Sequence, residues 1–289
     1  MSPEGVAFTK AHGTGNDFII LADLDGRLDV SESLVRALCH RRTGIGADGV
    51  LIVARTEGSP EVGPQADEAP YFMDYRNGDG SRAEMCGNGA RVFADHLVTT
   101  GLVERAPFSI ATRGGARAVR FLDDARIAVD MGAAQFLSRD DIRVRTADAP
   151  DDEHSAVGVL MPNPHAVAFV DDVRAAGSLA HAPHVTPAAA YPDGANVEFV
   201  HRLDDHHIRM RVFERGVGET LSCGTGACAA AVASARLSGW GADNRPIRVD
   251  VPGGVVTVTW GADDLVELAG PTQVVARGSI DRDWWDAHV

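Results

Sequence analysis

Lysine is almost missing from this chain: among its 27 Lys and Arg residues, Lys10 is the only lysine. Schiff-base chemistry, that of pyridoxal phosphate included, therefore has a single candidate amine. Cysteine is scarce too. Four in 289 residues rule out a disulfide framework and make a reducing cytoplasm the expectation. No apolar run reaches the ~18 residues that a membrane-spanning helix needs. The opening "MSPEGVAFTKAHGTGNDF" has no basic segment leading into an apolar one, so neither membrane insertion nor secretion is expected. Aromatics are 6% of the chain, no basic stripe interleaves with them, and the formal charge is −14, which argues against a nucleic-acid partner. The histidines show neither His-x-x-x-His nor Cys/His spacing for zinc, so no metal is expected. "GTGND" offers two glycines of a dinucleotide turn but not the full G-x-G-x-x-G, and no cofactor is expected.

What is present is a series of short strands with few helices. "EGVAFTKAHG", "DFIILAD", "GVLIVAR", "YFMDYR", "FSIAT", "ARAVRFL" and "ARIAVDMG" alternate or run apolar over strand length. "SESLVRALCHRRTG" has a Ser start, a Leu34/Leu38 spacing and a Gly stop, which predicts a helix. "TEGSPEVGPQADEAP" is rich in Pro, Gly and acid and predicts a solvated hairpin loop. After "MCGNGA", residues Ala90, Phe93, Ala94, Leu97 and Val98 fall at helical spacing with one polar side left over, and Gly101 stops the helix.

The same landmarks then return in the same order. "MPNPHAVAFV" matches "HGTGNDFIIL", with Asn163 for Asn16, and "GANVEFV" matches "GADGVLIV", with Asn196 for Asp48. "FERGVGETLSCGTGA" matches "YRNGDGSRAEMCGNGA", with Glu214 and Asn77 each nine residues ahead of a cysteine. A duplicated unit follows: residues 1–127 joined by 274–289, and residues 128–273. "CAAAVASARL" is small and apolar on all sides, as suits a helix enclosed by strands. The expected fold is α/β (α+β), with two pseudosymmetric halves, each a mostly antiparallel sheet around a central helix.

Each "CGxGA" places a cysteine just ahead of a glycine-rich helix start, Cys86 and Cys223. There the unpaired N–H groups and positive dipole end lower a thiol pKa and hold an anion. Gly87, Gly89, Gly224 and Gly226 let a carboxylate come close. Two such thiols, one on each face of a carbon α to that carboxylate, would remove a proton from one face and return one to the other. Cys39 and Cys228, in apolar helical surroundings, read instead as packing residues. His165 and Glu214 are candidates for polarising the two thiols. Arg215 can hold a second carboxylate and Glu214 an ammonium group. Asn16, Asn77, Asn163 and Asn196 stand at corresponding strand ends, where a bound polar molecule would meet them.

The stretches "HGTGNDFI", "TGIGADGV", "YRNGDGSRAEMCGNGAR", "DMG", "MPNPHAV", "GANVEFV" and "FERGVGETLSCGTGACA" resemble, in order and over nearly the whole length, the diaminopimelate epimerase family. The resemblance implies a homodimeric, cofactor-independent isomerase that interconverts LL- and meso-diaminopimelate for lysine and peptidoglycan precursor synthesis. It implies barrel-like sheets in both halves and Cys86 and Cys223 as the acid–base pair. By the same likeness Gly87, Asn88, Gly224 and Thr225 line the reacting carboxylate. Asn16, Asn77, Asn163, Asn196, Glu214 and Arg215 hold the rest of the substrate. Some members carry glutamine where this chain has Gly49. Another amino-acid racemase or isomerase of the same fold is the competing enzyme, though a monocarboxylate would leave Arg215 unpaired. A non-catalytic binding protein would need no thiols.

Overall fold

The computed structural model describes residues 5–289, so the opening residues 1–3 and Glu4, first of the expected strand "EGVAFTKAHG", lie outside the described residues. The chain divides into two compact units, Met1–Val129 with Pro271–Val289, and Asp130–Gly270.

In the first unit, strands β1 (Val6–Gly13), β2 (Asn16–Ala22), β3 (Gly49–Arg55) and β4 (Tyr71–Asn77) precede β5 (Phe108–Ile110), β6 (Arg117–Phe121) and β7 (Ile127–Ala133), which carries the chain out of the unit. β1 pairs antiparallel with β2 and β3 with β4, while β2 runs parallel to β3. Helix α1 (Glu32–Cys39) makes the parallel crossover; the Ser31 hydroxyl caps it by accepting from the Leu34 amide, a contact worth about 1 kcal/mol. Ile19, Leu21, Val50 and Ile52 point to one face and pack on Leu34, Val35 and Leu38 of α1. Phe18 and Leu51 point to the other, against Gly89 of helix α2 (Gly87–Thr99). With both faces covered, strands lose polar alternation, which is why these two read as unbroken apolar runs.

Two expectations fail here for physical reasons. α2 has no exposed polar stripe over its first turns: Asn88, Arg91 and His96 are buried with its apolar residues. The segment before β4 is no free loop either. Val62 and Ala69 join Phe72 and Ala111 in a small core. Glu61 bonds Arg113, and Gln65 bonds the backbone of Thr112.

The second unit contains β8 (Gln135–Phe136), β9 (Arg143–Arg145), β10 (His154–Met161), β11 (Asn163–Phe169), β12 (His184–Thr186), β13 (Asn196–Asp204), β14 (His207–Glu214), β15 (Gly218–Glu219), β16 (Pro246–Val251), β17 (Gly254–Trp260) and β18 (Leu265–Gly270). Helix α3 (Gly224–Leu237) crosses from β14 to its parallel neighbour β16. Because α3 is rich in alanine and other small residues, β10, β11, β13, β14, β16, β17 and β18 can all pack against it. After this unit, β19 (Gln273–Ile280) returns to pair antiparallel with β1, and α4 (Arg282–Asp286) buries Trp285 in the first core. The order is β19-β1-β2-β3-β4 in the first unit, where Phe72 of β4 also bridges Ala111 just past β5 and β5-β6-β7 pair in turn, and β12-β9-β10-β11-β13-β14-β16-β17-β18 in the second. No closed barrel is formed among the described residues.

The repeat is explicit in the ladders. β1-β2-β3-β4-α2 has the same pairings as β10-β11-β13-β14-α3. Phe18 lies opposite Gly49, and Gly49 opposite Asn77. His165 lies opposite Asn196, and Val197 opposite Phe213. His165 therefore stands where the first unit has Phe18, Asn196 where it has Gly49, and Glu198 where it has Leu51. This corrects the match of Asn196 with Asp48 by one residue; the shared Gly-Ala letters end crossovers that enter the two strands one position apart.

Candidate active site

In the first unit the candidate residues converge on the start of α2. Cys86 is the N-cap, extended at φ −142°, and its Sγ accepts from the Gly89 amide at 3.4 Å. The thiol thus fills the capping place that serine or aspartate commonly takes. Its S–H donates to Asn16 Oδ1 at 3.6 Å, and Asn88 Nδ2 donates to the same oxygen at 3.4 Å. Asn16 is fixed from behind, its Nδ2 donating to Asp48 Oδ2 at 2.9 Å. Arg41 bonds both Asp48 and Asp17, and Lys10 bonds Asp17 at 2.6 Å and the Gly46 carbonyl. Burial alone would raise the Asp17 carboxyl, but bonds from Arg41 and Lys10 outweigh it and hold it well below the usual carboxylate range. Arg91, fully buried, donates to Asn88 Oδ1 at 2.7 Å and to the Gly87 carbonyl at 3.2 Å. Asn77 is not part of this network; its side chain donates to Ser81 Oγ at 3.0 Å.

The second unit builds a different site on the same scaffold. Cys223 is the N-cap of α3, and its Sγ lies 3.5 Å from Thr225 Oγ1. It is 4% exposed, whereas Cys86 is partly exposed. Beneath it lies a fully buried pair, His165 Nδ1 and Glu198 Oε1, 2.6 Å apart. His165 Nε2 is 2.9 Å from Asn163 Oδ1, and the Tyr191 hydroxyl donates to the His165 carbonyl at 2.9 Å. Asn196 accepts from the Arg215 amide at 2.9 Å and donates to the Pro164 carbonyl at 3.1 Å. Glu214 accepts from the Thr220 hydroxyl, and Arg215 Nη1 donates to the Asp193 carbonyl at 3.1 Å.

The thiols therefore sit in unlike fields. Burial, then the charges of Glu214 and Glu198, push the Cys223 thiol well above its ordinary value. This overturns, for Cys223, the expectation that a helix start lowers it: the N-terminal dipole acts over one turn, and desolvation with two nearby carboxylates is the larger effect. Glu198 itself is raised by burial, with His165 opposing. Sequence reasoning passed over Glu198 and Arg91. The signal was available in both: an acid inside the apolar run "NVEFV", and an arginine inside an apolar helix, must each find partners if buried.

Thiol accessibility gives a direct check. Iodoacetamide near neutral pH is expected to modify Cys86 first. Cys223 and Cys39, the latter pushed up to about 12 by burial, are expected to lag by at least about tenfold. Timed peptide mass spectrometry measures the order, and equal rates for Cys86 and Cys223 would contradict the geometry.

Comparison with known proteins agrees over nearly the whole chain. The diaminopimelate epimerase family model matches residues 8–137 and 157–275. A diaminopimelate epimerase of Streptomyces coelicolor is 49% identical over 283 residues, covering 96% of both chains. One from Rhodococcus opacus is 43% identical, covering 96% of this chain and 98% of its own. Among solved structures, a phenazine biosynthesis protein of the PhzF family from Bacillus anthracis superposes with a TM-score of 0.68 at 18% identity, covering 96% of this chain and 99% of its own, which establishes a shared fold. With both Cys-Gly helix starts lying inside the matched segments, the chain belongs to the diaminopimelate epimerase family.

Proposed function

We propose that the chain is a diaminopimelate epimerase, an isomerase that inverts one α-carbon of LL-2,6-diaminopimelate to give the meso form for lysine and peptidoglycan precursor synthesis. Family membership over nearly the whole chain carries the substrate. The observation that carries the mechanism is that both repeated helices begin at a cysteine N-cap.

In this reading the reacting carboxylate rests on the amides of Gly87 and Asn88 and of Gly224 and Thr225, where helix starts offer N–H groups and positive potential. Charge developing on that carboxylate as the α-proton leaves is stabilised by the same amides. One sulfur, as thiolate, takes the α-proton, and the other, as thiol, gives its proton to the opposite face. The carbon changes hand, one proton has moved from sulfur to carbon and one from carbon to sulfur, and exchange with solvent restores the starting state. His165 and Glu214 tune the thiols. Asn16, Asn77, Asn163 and Asn196 orient the substrate, Arg215 takes its distal carboxylate and Glu214 its ammonium group. Lys10 is committed to Asp17 and the Gly46 carbonyl, which supports a reaction without a lysine Schiff base. The working form is a cytoplasmic homodimer without metal.

Reduced, purified protein given LL-diaminopimelate in deuterated water is expected to produce the meso isomer with solvent deuterium at the inverted α-carbon. Absence of both label and meso product rejects the function. Sedimentation at micromolar concentration tests the dimer separately.

A further inference from the structure

The pair under Cys223 has no counterpart under Cys86. The ladders place His165 where the first unit has Phe18 and Glu198 where it has Leu51. A side chain on Gly89 would meet Leu51 and Phe18, at 3.4 and 3.5 Å from its Cβ. One on Gly226 would meet Glu198 Oε1 at 2.8 Å and Cys223 Sγ at 3.3 Å. The repeated scaffold thus tolerates two apolar residues at these positions and in one unit holds an acid and an imidazole instead. A buried ionisable pair gives no stability advantage over well-packed apolar residues, and one set against a thiol is a candidate for function.

The hydrogen bonds fix what the pair can do. Asn163 Oδ1 only accepts, so His165 Nε2 carries a hydrogen. The short contact between His165 Nδ1 and Glu198 Oε1 then holds one further proton between them, so the negative end of the pair is the Glu198 carboxyl on the Cys223 side. Glu198 Oε2 is buried with no hydrogen-bond partner among the described residues, although a buried carboxyl oxygen normally has one. Gly226 leaves no side chain between this carboxyl and the sulfur. Glu214, at the end of β14, also acts on Cys223.

We propose that Glu198 is a positioning residue for Cys223: held by His165 and facing the sulfur across Gly226, it makes Cys223 the proton donor of the resting enzyme. The inference rests on the two-thiol reading above. In the first turnover the S–H bond of Cys223 breaks as a C–H bond forms, and the departing α-proton passes to the sulfur of Cys86. The two sulfurs then exchange protons with solvent to restore the resting form. Electrostatics act in the same direction, since the nearby carboxylates and burial disfavour a Cys223 thiolate.

The test is Glu198→Gln in the full-length chain, a change that keeps shape and hydrogen-bonding capacity while removing the acid. Iodoacetamide labelling of Cys223 is followed against pH by peptide mass spectrometry, with Cys228, buried on the same helix, as an internal control. The expected result is Cys223 labelling that is several-fold faster and begins to rise at lower pH, with Cys228 unchanged. In diaminopimelate turnover, kcat is expected to fall by at least about tenfold with little change in KM. General loosening of the fold would accelerate both cysteines at every pH and overturns the proposal, as does a variant whose Cys223 labels like that of the unsubstituted protein. If Glu198→Gln does not fold, the double variant His165→Phe/Glu198→Leu, built from the residues of the first unit, is read by the same labelling criteria. Labelling needs no substrate, so an unsubstituted protein that fails to turn over diaminopimelate removes the functional reading alone.

Discussion

Cys86→Ala and Cys223→Ala are each expected to lose epimerisation by on the order of 10²–10⁴-fold, and the double variant should fall little further. Groups that act in one proton relay are not additive, because removing either already breaks the relay. The more discriminating outcome is in isotope exchange. A single remaining thiol can still take the α-proton from its own side and return a solvent-derived one to that side, so the carbon exchanges without inverting. The two variants should therefore wash deuterium into α-carbons of opposite configuration: whichever configuration Cys223 labels alone, Cys86 alone must label the other. Proton NMR of LL- and meso-diaminopimelate recovered from deuterated water reads this directly. Near-normal inversion by either variant, or labelling of the same configuration by both, rejects the two-thiol mechanism.

Much of this arrangement could be read from residue order because its parts are local. A cysteine before Gly-x-Gly-Ala sets a helix start within one turn, and the structure begins α2 at Gly87 and α3 at Gly224. The enclosure of α3 was written in its alanines, and strands through "NDFIILA" and "GVLIVAR" in their apolar runs. What failed to show was set by partners distant in sequence. The protonation of Cys223 depends on its burial, on Glu214, which the stretch "FERGVGETLSCGTGA" already contains, and on Glu198 arriving from β13, which no window around "SCGTGA" reaches. Arg91 read as the polar side of a helix, and its hydrogen-bond acceptors, Asn88 and the Gly87 carbonyl, are one turn away; what the local pattern lacked was its complete burial. The acidic, proline-rich segment before β4 was read as solvated because its charges stand out, yet Val62 and Ala69 anchor it and Arg113 neutralises Glu61. The one-residue error at Asn196 has the same origin, since register is fixed by hydrogen bonds between strands and the local letters fitted either pairing.

The largest stability effect is expected at the same buried pair. Glu198→Ala removes one partner of a fully buried contact and should cost about 3–5 kcal/mol, because His165 is left polar, enclosed and without its acid. Adding His165→Phe and placing leucine at 198 should recover most of that loss, since Phe18 and Leu51 already fill the equivalent positions beneath Cys86. Replacing a buried pair by packed apolar side chains is commonly neutral or stabilising, so the double variant is expected within about 1 kcal/mol of the unsubstituted protein or above it. Urea unfolding followed by circular dichroism measures both, with each transition compared at matched slope. Stability that returns in the double variant while turnover stays low separates the two roles of the pair: the fold would accept oil at these positions, and it is Cys223 that requires the acid. A double variant as unstable as Glu198→Ala would instead make the pair a structural requirement of the second unit, and Gly226 merely the opening that admits it.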